Sequence, residues 1–463
     1  MKKVFVFCIG GTGIRVMKSI TMLMASGMST NGYTVVPVVI DPHLDLDEKK
    51  NLHSLIDNYK KIHNRSRSDG SNTLNPLDGF FGSEMRTIAD LNNQMNDTYQ
   101  FAKNNETFKS YIEVDNLGVS DLNNYLVSTM FSTKSLDSSL AVGFKGNPNV
   151  GTVVLGDMIE GADWFKSFKG LCQKDDRVFI ISSIFGGTGA SGYPALEKKI
   201  KGAEDCPAVK NALMGAITVL PYYGLKDPAA SGSDIDSTNF YTKTKAALAY
   251  YEGTVKSDYL YYIGEKSLKQ QYENDEKKQE DTANFIELIA ATALFDFLKK
   301  ERPDRQQYLT RAIESDDDSM SLKSLGDGYK DVVKCVADFM LMRELLQILP
   351  AEKYFPLKKN RGFNEDFYTE IEPLKDFTET YYKWYNELAT NKRAFAPLKC
   401  DAISNEWIIE QPLDAKNDSY YLLQMIKASN SQKNKYDQSN RLRYFLQFAY
   451  EAINYYTKEI LKK

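Results

Sequence analysis

The chain has 463 residues, 42% of them hydrophobic and 26% charged, with a formal net charge of −4. That balance belongs to a globular protein with a large core, and it gives no electrostatic reason to bind nucleic acid. The length exceeds one ordinary domain, so two or three are expected. The five cysteines are odd in number and lack CxxC spacing, which argues against a disulfide framework or a zinc site and for a reducing, cytoplasmic setting. His43, His53 and His63 stand ten apart with no other ligand chemistry beside them, so no metal cluster is expected. No apolar run approaches the roughly 20 residues that span a bilayer.

The first element follows MKK directly. Residues 3–9, KVFVFCI, form a short apolar run with no small-residue cleavage site after it, and read as a buried strand, not a secretion signal. Glycines break the run at 10–13, and residues 14–26 carry helical periodicity. Residues 33–40, YTVVPVVI, read as a second buried strand, in which Pro37 predicts a sheet edge or a bulge. Residues 44–66 read as a charged helix and 67–82 as a loop, while 107–140 show no assignable pattern. One helix is expected over 152–171, then a third strand over 177–184 (RVFIISSI), more glycines, and a helix from about Pro194. A fourth strand covers 213–220, a helix 237–252 and a fifth strand 258–265. The helix at 282–300 is apolar around most of its circumference, which predicts burial on all sides. Residues 301–330 read as loop, with an acidic run at Asp316–Asp318, and the remainder as tyrosine-dense helices.

Gly-Gly-Thr-Gly occurs twice, at 10–13 and 186–189, each time after a strand-like run. A strand, a glycine turn and a helix start together make an anion site: the first helical N–H groups are unpaired, the dipole is positive there, and glycine admits close approach. Either turn alone reads equally well as a plain tight connection. Neither is a P-loop, because no Gly-Lys-Ser/Thr follows. The first, with Asp41 ending the second strand, competes for a dinucleotide fingerprint but lacks its closing glycine. A nicotinamide oxidoreductase therefore stands as a rival that leaves the second turn unexplained.

Taken in order, these segments resemble the tubulin and FtsZ superfamily over residues 1–300. Gly10, Gly11, Thr12 and Gly13 match its first loop and Asp41 the acid after its second strand. GNPNVG at 146–151 is similar to the loop that caps the γ-phosphate, placing Asn147, Asn149 and Gly151 there. FGGTGASG at 185–192 is similar to the GGGTG(S/T)G signature. The resemblance implies that Gly186, Gly187, Thr188, Gly189 and Ser191 hold phosphates, although Phe185 replaces the first signature glycine. LPYYG at 220–224 takes the place of the fifth loop. Asn239 and Asn284 stand where the family contacts the base, and each has a competing role as a helix cap. Arg15 stands where tubulins often carry Asn or Gln, either to reach the ligand or as a helix-surface arginine.

What the resemblance implies is an α/β, doubly wound parallel-sheet domain over 1–300 that binds GTP or GDP with Mg²⁺. It further implies a long central helix at 282–300 and a mainly helical C-terminal domain over 301–463. Self-association head to tail would bring an acid of one subunit onto the γ-phosphate of the next. Glu301, Asp304 and the run Asp316–Asp318 are the candidates, none in the family's frame, so catalytic residues stay unassigned. A non-hydrolysing module that docks a partner protein through its helical region is the alternative.

Overall fold

The structure is a computed structural model describing residues 1–42, 47–67, 79–92, 106–118, 120–141, 144, 146–225, 240–264, 271–272, 274–275, 278–279, 283–311, 328–348, 365–391, 395–397 and 440–460. At its centre lies a six-stranded, all-parallel sheet of β1 (Lys3–Ile9), β2 (Thr34–Ile40), β3 (Arg177–Ser183), β4 (Leu213–Val219), β5 (Tyr259–Ile263) and β6 (Gln307–Arg311), in the order β6-β5-β4-β3-β1-β2. The order reverses between β1 and β3. In open parallel sheets that reversal leaves a crevice at the carboxyl ends of the two strands.

The strands β1–β5 are apolar without alternation because both faces are covered. Val4, Val6 and Cys8 of β1 enter one core layer and Phe5, Phe7 and Ile9 the other. The first layer is built by α1 (Gly10–Ala25), α2 (Asp47–Arg67) and, later in the chain, the central helix at Phe285–Phe297. The second is built by α3 (Pro148–Gly161), α4 (Asp163–Leu171) and α5 (Gly187–Lys201), with Tyr251 of α6 (Phe240–Thr254). Within α7, the central helix (Phe285–Phe297), residues on nearly every side are buried, as its all-round apolarity requires.

Pro37 lies in the edge strand, as expected. Val35 turns its N–H and C=O away from β1, to Glu84 and Arg86. Pro37, two residues on, faces the same way, so its missing N–H breaks no bond to β1.

Three boundaries differ from the sequence reading. The helix expected over 152–171 is two helices, because Ala162 adopts an extended conformation (ψ 136°) between them, and the first begins at Pro148. The stretch read as loop past 300 supplies β6, whose QYLTR sequence has little apolar content because one of its faces, carrying Tyr308 and Thr310, is exposed. The helix expected from Pro194 begins at Gly187 and carries Pro194 in its interior. Proline cannot donate to the carbonyl four residues back. Here that carbonyl, on Ala190, accepts the Tyr251 hydroxyl at 2.9 Å instead.

The C-terminal helices α8 (Gly328–Ile348), α9 (Glu372–Thr390) and α10 (Arg441–Ile460) pack on the α1/α2 side and share its core. Glu387 of α9 accepts from Ala283 N at 3.0 Å and Asn391 donates to Ala283 O at 3.1 Å. These bonds tie the end of α9 to the residue just before the cap of α7.

His63 on α2 is 1% exposed, with Nδ1 2.7 Å from Phe81 O. Burial pushes its pKa below 6.5, with Arg67 and Arg86 adding to the effect and the Phe81 carbonyl opposing it. A depressed folded pKa means that the unfolded chain binds the proton more readily, so stability rises with pH. The contribution is complete above about pH 6.5 and is lost as the pH falls toward the folded value. The Tm of the wild-type chain should drop between pH 7.5 and 5.5, and by less in His63→Asn; an equal drop in both would assign the effect elsewhere.

Candidate functional site

The two glycine turns meet in the crevice between β1 and β3. Gly10 has φ +72°, and a Cβ built on it would stand 3.5 Å from both Gly189 N and Thr188 Cβ. In each turn the glycines form the first turn of the helix itself, contrary to the expected helix start at 14. Glycine suits that arrangement because the helix start presses on the preceding strand. A Cβ at Gly13 would lie 2.7 Å from the carbonyl carbon of Cys8, and one at Gly189 2.5 Å from Ser183 O.

The 146–151 loop closes a third side. A Cβ at Gly187 would lie 3.0 Å from Gly146 N and 3.1 Å from Asn147 N, and one at Gly151 would meet the Ser191 hydroxyl. Lys243 of α6 donates to Gly146 O at 2.9 Å and holds this loop from outside. Three helix starts, those of α1, α3 and α5, thus gather in one place. None has a side-chain cap or an acidic residue in its first turn. By contrast α7 begins with a complete capping box, Asn284 accepting from Ile286 N at 2.9 Å and Glu287 from Asn284 N at 3.1 Å. Uncapped helix starts facing one spot offer N–H groups and positive potential to an anion.

The expected site residues fall into groups. Gly10–Gly13, Asn147, Gly151 and Gly186–Gly189 come together, with Gly11, Gly186, Thr188 and Asn147 partly exposed. Asn149 is in the first turn of α3 and exposed. Asp41 directly follows β2 and is 5% exposed; its charge acts on Lys49 of α2, whose pKa burial lowers and Asp41 raises. Ser191, expected among the phosphate-holding residues, donates its hydroxyl to Gly187 O at 2.7 Å and so braces the helix start. Asn284 takes the cap role. Asn239 and Asp316–Asp318 lie outside the described residues.

Sequence reasoning missed a buried network beside the first turn. Arg15 is neither at the surface nor aimed at the crevice alone. It donates to Glu48 of α2 at 2.9 Å, to Glu287 of α7 at 2.8 Å, to the Tyr222 hydroxyl at 3.2 Å and to Thr12 Oγ1 at 3.5 Å. Tyr222 in turn donates to Glu287 at 2.6 Å. Burial lifts the Glu287 carboxyl above its usual range, while Arg15, Tyr222 and the Asn284 N–H pull against it. Around this network Phe185 packs on Tyr222, Tyr223 and Phe240 with ring centroids 4.9–6.1 Å apart. The partners come from positions 48, 222 and 287, so no local spacing announces them.

Glu301 and Asp304, the described candidates for a hydrolytic acid, are exposed at the other end of the sheet. Glu301 O accepts from Tyr259, the first residue of β5. Among the described residues no helix is long and apolar enough to cross a membrane. Compared with models of known protein families the chain matches none, and no curated protein matches it.

Proposed function

We propose that this chain binds a guanine nucleotide in the crevice between β1 and β3, in the manner of the tubulin and FtsZ superfamily. The observation that carries the reading is the meeting of both Gly-Gly-Thr-Gly turns and the 146–151 loop around three uncapped helix starts. One polyphosphate accounts for all three at once; a dinucleotide fingerprint at the first turn accounts for one. The donors fit such a group: the backbone N–H groups at the starts of α1, α3 and α5 donate to no side-chain cap, and no carboxylate stands in these first turns. Bound Mg²⁺ would neutralise phosphate charge and is assigned no protein ligand.

Hydrolysis would need a group to orient the attacking water. With Glu301 and Asp304 at the far end of the sheet, such an acid would come from the next subunit in a head-to-tail assembly. The same placement favours the second reading, a chain that binds nucleotide without hydrolysing it and docks a partner protein. GTP turnover measured across protein concentrations separates the two, because assembly-coupled hydrolysis rises faster than linearly and the binding module stays flat.

The identity of the ligand comes first. Purified chain, denatured and chromatographed, is expected to release GTP or GDP, and Thr188→Ala to release less. A chain that releases no nucleotide and binds no added GTP would return the glycines to plain turns; reduced-nicotinamide absorbance would favour the oxidoreductase.

A further inference from the structure

We infer that the short helix Leu122–Met130 is a self-docking surface, which pairs with the same helix of a second copy about a two-fold axis beside Leu126. Of the ten large hydrophobic side chains exposed among the described residues, four lie in this helix: Leu122 at 79%, Tyr125 at 71%, Leu126 at 54% and Met130 at 60%. None of its residues is buried. Helices this short are marginal in water and draw their stability from packing an apolar face. This one does the reverse. Val127, partly buried against the second core layer, and the half-buried Asn124 face the body of the protein, and the apolar ridge faces out.

The charge, the spacing and the area of the ridge make a second copy its occupant. No residue from 122 to 130 is charged, so the face can meet its own image without the like-charge repulsion that penalises charged surfaces. Leu122, Leu126 and Met130 stand at i, i+4 and i+8, a ridge of the kind that interdigitates with another like it. Its spacing is symmetric about Leu126. Two-fold pairing therefore sets Leu122 of one copy toward Met130 of the other and Leu126 beside its equivalent, as an isologous contact requires. At these exposures the four side chains offer on the order of 500 Å² per copy, and a pair reaches the roughly 1,000 Å² at which specific interfaces begin. A contact of that size gives a weak, concentration-dependent dimer. It closes at two copies, unlike a head-to-tail assembly, and needs no nucleotide in the crevice.

Sedimentation velocity of the full chain at rising concentration should move the wild type from monomer toward dimer. Leu126→Glu, which sets two carboxylates against each other at the axis, should stay monomeric with an unchanged Tm, since no residue of the helix is buried. Under mild oxidation Leu126→Cys should form a disulfide-linked dimer at least about tenfold faster than Ser128→Cys, because docking raises the local concentration of the first thiol alone. Ser128 is the control because it is exposed yet lies about 200° round the helix from Leu126. A wild type that stays monomeric at every concentration would overturn the proposal and leave the face to a different partner. Equal self-association in Leu126→Glu, or equal cross-linking at 126 and 128, would overturn it by moving the contact elsewhere.

Discussion

Valine at position 187 is expected to abolish nucleotide retention in a chain that still folds. A Cβ there would already lie 3.0 Å from Gly146 N and Phe144 Cβ, and 3.1 Å from Asn147 N. Valine adds two methyl groups beyond that point, wedging the 146–151 loop away from the start of α5. The backbone at 187 is helical, a conformation valine tolerates, so the strain is confined to the loop contact at about 1–3 kcal/mol. The loss falls instead on the ligand, whose N–H donors no longer converge. Bound nucleotide should fall at least about tenfold, with a Tm lowered by a few degrees only. Gly156→Ala is the control, since a Cβ at Gly156 meets nothing within 4 Å; it should retain nucleotide. Full occupancy in Gly187→Val would detach the second turn from any ligand.

The second large effect belongs to Arg15. Its side chain is 12% exposed, and its two carboxylate partners, Glu48 and Glu287, are 4% and 2% exposed. Burial works against the guanidinium charge, but Tyr222, Glu48 and Glu287 together outweigh it. Arg15→Ala would remove the cation that two buried carboxylates share. Breaking a buried pair from one side costs about 3–5 kcal/mol, most of it the desolvated charge left behind. Denaturant unfolding of Arg15→Ala should show a loss of that size. Adding Glu48→Gln and Glu287→Gln should restore much of it, because neutral amides tolerate the same space. A loss under about 1 kcal/mol, the worth of an exposed pair, would mean that water reaches the network. The consequence extends beyond stability, since Arg15 joins α1, α2 and α7 at the edge of the crevice.

Five of the six strands, the buried character of α7 and the edge position of Pro37 were legible in the sequence. Each rests on local pattern: an unbroken apolar run means a strand covered on both faces, and a proline in such a run means one without a second neighbour. β6 was not legible, because QYLTR has one exposed face and is defined by pairing with β5 rather than by its own composition. The helix starts at Gly10 and Gly187 were not legible either. Glycine is a poor helix former on propensity, and only the close fit of Gly13 against Cys8 and Gly189 against Ser183 makes it necessary there.

The candidate site divides the same way. That two glycine turns each follow a buried strand and precede a helix was readable from the chain, since strand, turn and helix are neighbours along it. That they face each other depends on β3 pairing beside β1 across about 170 intervening residues, which no local pattern contains. The same packing supplies the partners of Ser191, Asn284 and Arg15. A hydroxyl, an amide and a guanidinium each serve several purposes, and the partner within reach, Gly187 O, Ile286 N or the Glu48 and Glu287 carboxylates, selects among them. Backbone pattern is a local property of the chain, whereas the hydrogen bond a polar side chain makes is a property of the packed neighbours around it.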